Sequence, residues 1–117
     1  MDNEKINSNL IVKLSFEFAL LVVKYAELLE ERRKFVIANQ LLKSGTSIGA
    51  NIWEAQNSES KADFIHKMKI SAKECEETKY WLLLCKHAEN YPRNEDLLEK
   101  IEIVQKILNK IIATAKR

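Results

Sequence analysis

The chain has 117 residues, 46% hydrophobic and 31% charged, with a net charge of +2. That balance is too apolar for a disordered chain and far from the strongly basic composition of a DNA-coating protein. Only 2 Gly and 1 Pro occur, too few for the turns of a sandwich or barrel, which leaves an all-α fold in one domain over residues 1–117.

Four apolar-periodic segments follow in order. The first starts at a cap provided by Asn7, Ser8 or Asn9 and runs to about residue 31. Its apolar residues cover well over one face, whereas a bundle helix needs a stripe of only ~100°. Phe16, Phe18, Leu20 and Val23 are therefore expected to bury a second surface in an oligomer. No Gly or Pro marks the next boundary, so the turn is placed at the charged residues 31–34; one helix continuing through residue 56 is the rival reading.

The second segment, about residues 35–56, carries Ala38, Leu41, Gly45, Ile48, Ile52 and Ala55 at heptad spacing. Gly costs a helix ~1 kcal/mol relative to Ala. Gly45 and Gly49, on adjacent turns, thus point to close approach of another helix. A polar row of Ser44, Ser47, Asn51, Glu54 and Ser58 accompanies them. It is read either as a groove or, with Ser47 and Asn51 as packing residues, as hydrogen bonds that fix the register of the third helix.

Ser60 followed by Asp63 forms a capping-box-like start for the third segment, which runs to about residue 90. Phe64, Met68, Ser71, Cys75, Thr78, Leu82 and Cys85 keep heptad spacing, and residues 80–85 are apolar on more than one face. Tyr80, Trp81 and Leu84 join the expected oligomer interface, with Trp81 preferred over Trp53. Pro92 ends this helix, and Asn94 is expected to cap a fourth with Glu95 and Asp96 in its first turn. Leu97, Ile101, Val104, Leu108, Ile111 and Ala115 form its stripe. Short connections make neighbours antiparallel, so the expected architecture is an up-and-down, left-handed four-helix bundle assembling as a cyclic homo-oligomer.

Such a bundle raises di-iron chemistry, but no pair of Glu-x-x-His motifs is present, and His66 and His87 lie ~30 Å apart along one helix. Cys75 falls on a core stripe with no His within one turn, and Glu74, Glu76 and Glu77 are neighboured by Lys73 and Lys79. No catalytic residue, metal or cofactor is expected. Cys75 and Cys85, ~15 Å apart on one helix, cannot form a disulfide with each other. No apolar run reaches the ~20 residues of a membrane span, and residues 1–5 lack the basic start of a signal peptide. A cytoplasmic protein without membrane partners is the expectation.

Charge is unevenly placed. Residues 1–31 hold three cations and six anions, residues 32–61 five and two. Arg32, Arg33 and Lys34 cluster at the first junction, Lys43 follows nine residues on, and an antiparallel bundle brings Arg93 to the same end. These five are the candidate contacts to RNA or DNA.

Residues 40–55, with their run Ser44-Gly45-Thr46-Ser47-Ile48-Gly49-Ala50-Asn51-Ile52, are followed by Asp63-Phe64-Ile65, Lys73-Glu74 and Tyr80-Trp81-Leu82. In this ordered combination the chain resembles the four-helix-bundle proteins encoded by intervening sequences of bacterial 23S ribosomal RNA genes. The resemblance implies a homopentamer without known catalytic activity. A related branch, the accessory proteins of diversity-generating retroelements, is similar to a basic pentameric barrel that binds nucleic acid and the reverse transcriptase. It implies two alternatives here, a nucleic-acid-binding oligomer and a scaffold that docks a protein partner. At +2 the chain departs from that basic branch.

Overall fold

The computed structural model describes residues 2–7 and 9–117. Its helices are α1 (Asp2–Asn7), α2 (Leu10–Glu31), α3 (Phe35–Ala55), α4 (Lys61–His87) and α5 (Glu95–Ala115), and the described residues contain no strand. The four long helices are those read from periodicity; the short α1, which packs on α2, was not foreseen. Asn9 is the cap of α2, its Oδ1 accepting from the Ile11 and Val12 amides. Ser8, the rival cap, lies outside the described residues.

The turn between α2 and α3 falls in the charged run and rules out the continuous helix. Arg33 adopts φ 64°, its amide donates to the Glu30 carbonyl, and the Lys34 amide donates to that of Leu29. This is the Schellman arrangement, made here without glycine. Ser60 caps α4 by accepting from the Asp63 amide at 3.0 Å, and the Asp63 carboxylate accepts from the Glu59 amide. Asn94 holds the expected cap position of α5, but without the expected cap bond; Nδ2 instead donates to the Leu82 carbonyl of α4 at 2.8 Å, tying the connection to the preceding helix.

α2 and α4 each pack against α3 and α5, and the backbones of the diagonal pairs stay apart. Cross-helix pairs give the direction. Gly45 lies against Val22 and Gly49 against Ser15; Thr78 bonds Ser44 and Ser71 bonds Ile48; Lys79 pairs with Glu102 and Glu76 with Gln105. In each case the residue number falls on one helix as it rises on the other, so neighbours are antiparallel. The heptad stripes of the second, third and fourth predicted segments supply most of the core, with Leu41, Ile48, Ile52, Met68, Leu82, Ile101 and Leu108 fully buried beside Val22 and Leu29 of α2.

Small residues set the α2–α3–α4 spacing. A Cβ on Gly45 would sit 2.7 Å from Val22 Cγ1, whereas one on Gly49 would sit 3.3 Å from the Ser15 carbonyl oxygen. Buried Thr78 donates its hydroxyl hydrogen bond to Ser44 Oγ at 2.9 Å, and Ser71 Oγ donates to the Ile48 carbonyl at 2.8 Å. Ser44 thus does the register work expected of the polar row, and Glu54 adds an ion pair with Lys67 of α4. Ser47 and Asn51 do not carry the hydrogen bonds to α4 expected of them: they donate to the Lys43 and Ser47 carbonyls of their own helix.

Two outcomes follow for denaturant unfolding. Gly45→Ala is expected to lower stability by about 1 kcal/mol or more, because overpacking against the stiff Val22 outweighs the gain in helix propensity, while Gly49→Ala stays within about 0.5 kcal/mol of wild type. Arg33→Gly is expected to raise stability by roughly 0.5–1 kcal/mol by relieving a left-handed side-chain-bearing residue.

Candidate functional site

The α2–α3 turn and the α4–α5 connection meet at one end of the bundle. Tyr25 of α2 donates to the Pro92 carbonyl at 2.7 Å, and the Lys34 ammonium lies 4.8 Å from the centre of the Tyr91 ring. This places Arg93 at the same end as Arg32, Arg33 and Lys34. Arg32 and Arg33 are exposed; Arg93 is held by Glu95, 3.2 Å away. A backbone hydrogen bond, then Arg93, keeps the Glu95 carboxyl below its ordinary range. Lys43 stands apart, in the middle of α3, where its charge acts on Glu74 of α4.

Sequence reasoning missed two further members of this rim. Lys86 and His87 form the last turn of α4, a position where basic residues favour the helix dipole and could have been noticed on that ground. Lys34 occupies the cap position of α3 without a side-chain cap bond, and no acid stands in that helix's first turn, so its positive end is uncompensated. Glu30, Glu31 and Glu89 are exposed at the same end.

Apolar side chains remain exposed along the flanks. Phe16, Leu20 and Val23 of α2 and Tyr80 and Leu84 of α4 are exposed, as expected of interface residues. Phe18 is not among them: at 1% exposure it belongs to the core, because it shares the inward arc of α2 with Val22, Tyr25 and Leu29. Trp81 is half-buried and packs on the core, its indole donating to Glu77 at 3.2 Å and its ring meeting Tyr80 edge-on. Trp53 is equally half-buried, so burial does not separate the two tryptophans. Phe16, Ala19, Gly49, Ala50 and Trp53 line a groove of about 400 Å³ along α2 and α3, which Ile6 of α1 also borders. Exposed Phe35, Val36 and Ile103 were not anticipated.

Both thiols are buried. Burial first, then Glu76 and Glu74, pushes the Cys75 thiol up to about 12. Burial also raises the Cys85 thiol and, with Cys85 beside it, the Tyr25 phenol. Among the described residues no cluster of His, Cys, Asp or Glu is placed to hold a metal ion, and no described helix is long and apolar enough to cross a membrane.

Residues 7–110 match the family of 23S rRNA-intervening sequence proteins. The chain belongs to that family. Its fold is similar to the 1.70 Å crystal structure of a protein of unknown function from the S23 ribosomal protein family of Bacteroides thetaiotaomicron VPI-5482. The two share 43% identity over 87% of this chain and 97% of that one, with a TM-score of 0.81. No curated protein matches the chain.

The burial of the thiols predicts their reactivity. With Cys75 at about 12, about one thiol in ten thousand is ionised at pH 8, and burial disfavours the thiolate of Cys85 as well. Both are expected to react with a disulfide reagent such as Ellman's only at the rate of opening, becoming fast in denaturant. Rapid labelling of the native chain would contradict this placement.

Proposed function

We propose that this 23S rRNA-intervening sequence protein is a non-catalytic, cytoplasmic homo-oligomer that binds RNA through the α2–α3 rim. The observation that carries the reading is the meeting of Arg32, Arg33 and Lys34 with Arg93 and the basic last turn of α4 at one end of the bundle. A cyclic assembly would repeat that rim around its axis, and phosphates bound there would release counterions, making affinity fall with salt. Lys43 is not part of the proposed contact.

Self-association rests on apolar surface exposed in the isolated chain, on α2 by Phe16, Leu20 and Val23 and on α4 by Tyr80 and Leu84; the count of five subunits rests on the family resemblance. The groove along α2 and α3 favours a second reading, a scaffold docking a protein such as a reverse transcriptase, since apolar grooves of this size accept side chains of a partner.

Light scattering is expected to give a mass several times 13.6 kDa. Tyr80→Glu combined with Leu84→Glu should reduce it to one copy with helicity retained, because both side chains are exposed. Binding of a structured RNA is expected to weaken at least tenfold between about 50 and 200 mM salt and to be lost in Arg32→Glu with Arg33→Glu. Absence of binding at the lower salt, or indifference to the double substitution, would move the assignment to the scaffold.

A further inference from the structure

The basic run leads directly into two exposed apolar residues. Phe35 is 56% exposed and Val36 75%, at the first two positions of α3, while the inward positions of that turn and the next are taken by Ala38 and Leu41. Folding therefore leaves more than half of Phe35 in water, immediately after Arg32, Arg33 and Lys34.

Charge at this end is nearly balanced. Arg93 pairs with Glu95 at the surface and Lys34 lies over the Tyr91 ring, while exposed Arg32, Arg33 and Lys86 are matched in number by exposed Glu30, Glu31 and Glu89. Long-range attraction to a phosphate chain is then modest after screening, which leaves local phosphate contacts at Arg32 and Arg33 that distinguish poorly between forms of RNA. An RNA duplex, whose bases are stacked within, offers such a rim little besides phosphates and 2′-hydroxyls. An unpaired nucleotide also offers the face of its base, and stacking on an aromatic ring needs no net charge.

We infer that Phe35 is a platform for an unpaired base, so that the RNA taken by this rim is a single strand or loop whose flanking phosphates lie on Arg32 and Arg33. The inference rests on the proposed RNA-binding reading of the rim and names its substrate class. An anionic membrane is the other surface that a basic and aromatic tip could meet, but two neighbouring apolar residues provide far less insertion than the long apolar face of an interfacial helix.

The test uses the full chain, a labelled single-stranded RNA of about 12 nucleotides and a duplex of the same length, with anisotropy read at about 50 and 200 mM salt. Wild type is expected to bind the strand more tightly than the duplex. Phe35→Ala should weaken strand binding about five- to 150-fold and duplex binding less than about twofold. Phe35→Trp should retain strand binding, and Phe35→Leu, which keeps apolar bulk without a π-face, should not. Because the ring is exposed, thermal melts of these variants serve as the folding control.

A tighter duplex, or Phe35→Ala that weakens both probes equally or neither, overturns the inference. If Arg32→Glu with Arg33→Glu abolishes binding while Phe35→Ala is neutral, the rim reading survives and the stacking platform falls. If wild type binds no RNA at the lower salt, both fall. Sedimentation with phosphatidylcholine vesicles containing phosphatidylserine provides the membrane arm: loss of vesicle binding in Phe35→Ala with RNA binding unchanged also overturns the inference.

Discussion

The close approach of α2 to α3 at Gly45 is the constraint on which the remaining geometry depends. Val22 occupies space that any side chain at position 45 would enter, so the two backbones sit nearer than larger residues would permit. The same turn of α3 presents Ser44 to Thr78, and the next presents the Ile48 carbonyl to Ser71. One side of α3 therefore meshes with α2 while the other is hydrogen-bonded to α4, all of it buried. A buried hydroxyl deprived of its partner is costly, so a slip of either neighbouring helix would lose apolar contact and strand Ser71 or Thr78 together. With helix order and level set in this way, the ends of the bundle follow. The α2–α3 turn must lie beside the α4–α5 connection, where Tyr25 and Asn94 anchor it to Pro92 and Leu82.

How much of this was legible depends on whether the signal was local and periodic. The stripes of α3, α4 and α5 were readable because a seven-residue repeat keeps one face toward the core over several turns. Ser60 with Asp63 was readable because capping is completed within four residues. Arg33 was readable as a turn position only through the surrounding charge, since nothing in an arginine announces a left-handed conformation. Asn94 was readable as the cap position of α5, but its side-chain partner was not, because the local cap bond lost to one with Leu82, twelve residues back. The Tyr25–Pro92 bond spans 67 positions, and no pattern in the chain relates the two.

The α2 surface shows the limit most plainly. A helix apolar on nearly all sides reveals an excess of apolar residues but does not say which arc turns inward. Phe18 was thereby assigned outward with Phe16, although the inward arc of Phe18, Val22, Tyr25 and Leu29 fills the core. The polar row of α3 failed in a related manner. Ser44 reaches α4, whereas Ser47 and Asn51, from the same row, turn back on their own helix. The candidate rim was legible as a charge cluster, but Lys43 was grouped with it by sequence distance alone. Nine helical residues carry it ~13 Å along the bundle.

The exposed surfaces differ in shape, and this bears on the form of the proposed assembly. In an isologous dimer one patch meets itself, so it must be self-complementary; in a ring, one patch of each subunit meets a different patch of the next. Here the α2–α3 flank is concave, a groove of about 400 Å³ lined by Phe16, Trp53, Gly49 and Ala50. The outer face of α4 instead carries exposed Tyr80, Leu83 and Leu84. Two unlike apolar surfaces on separate helices are what a head-to-tail ring requires, and a concave patch facing its own copy would leave a void. Gly49, which lies against Ser15 where α2 and α3 approach, also lines the groove between them, whereas Gly45 does not. Within one small-residue segment of α3, Gly45 thus serves the packing inside the bundle and Gly49 the surface open to a neighbour outside it.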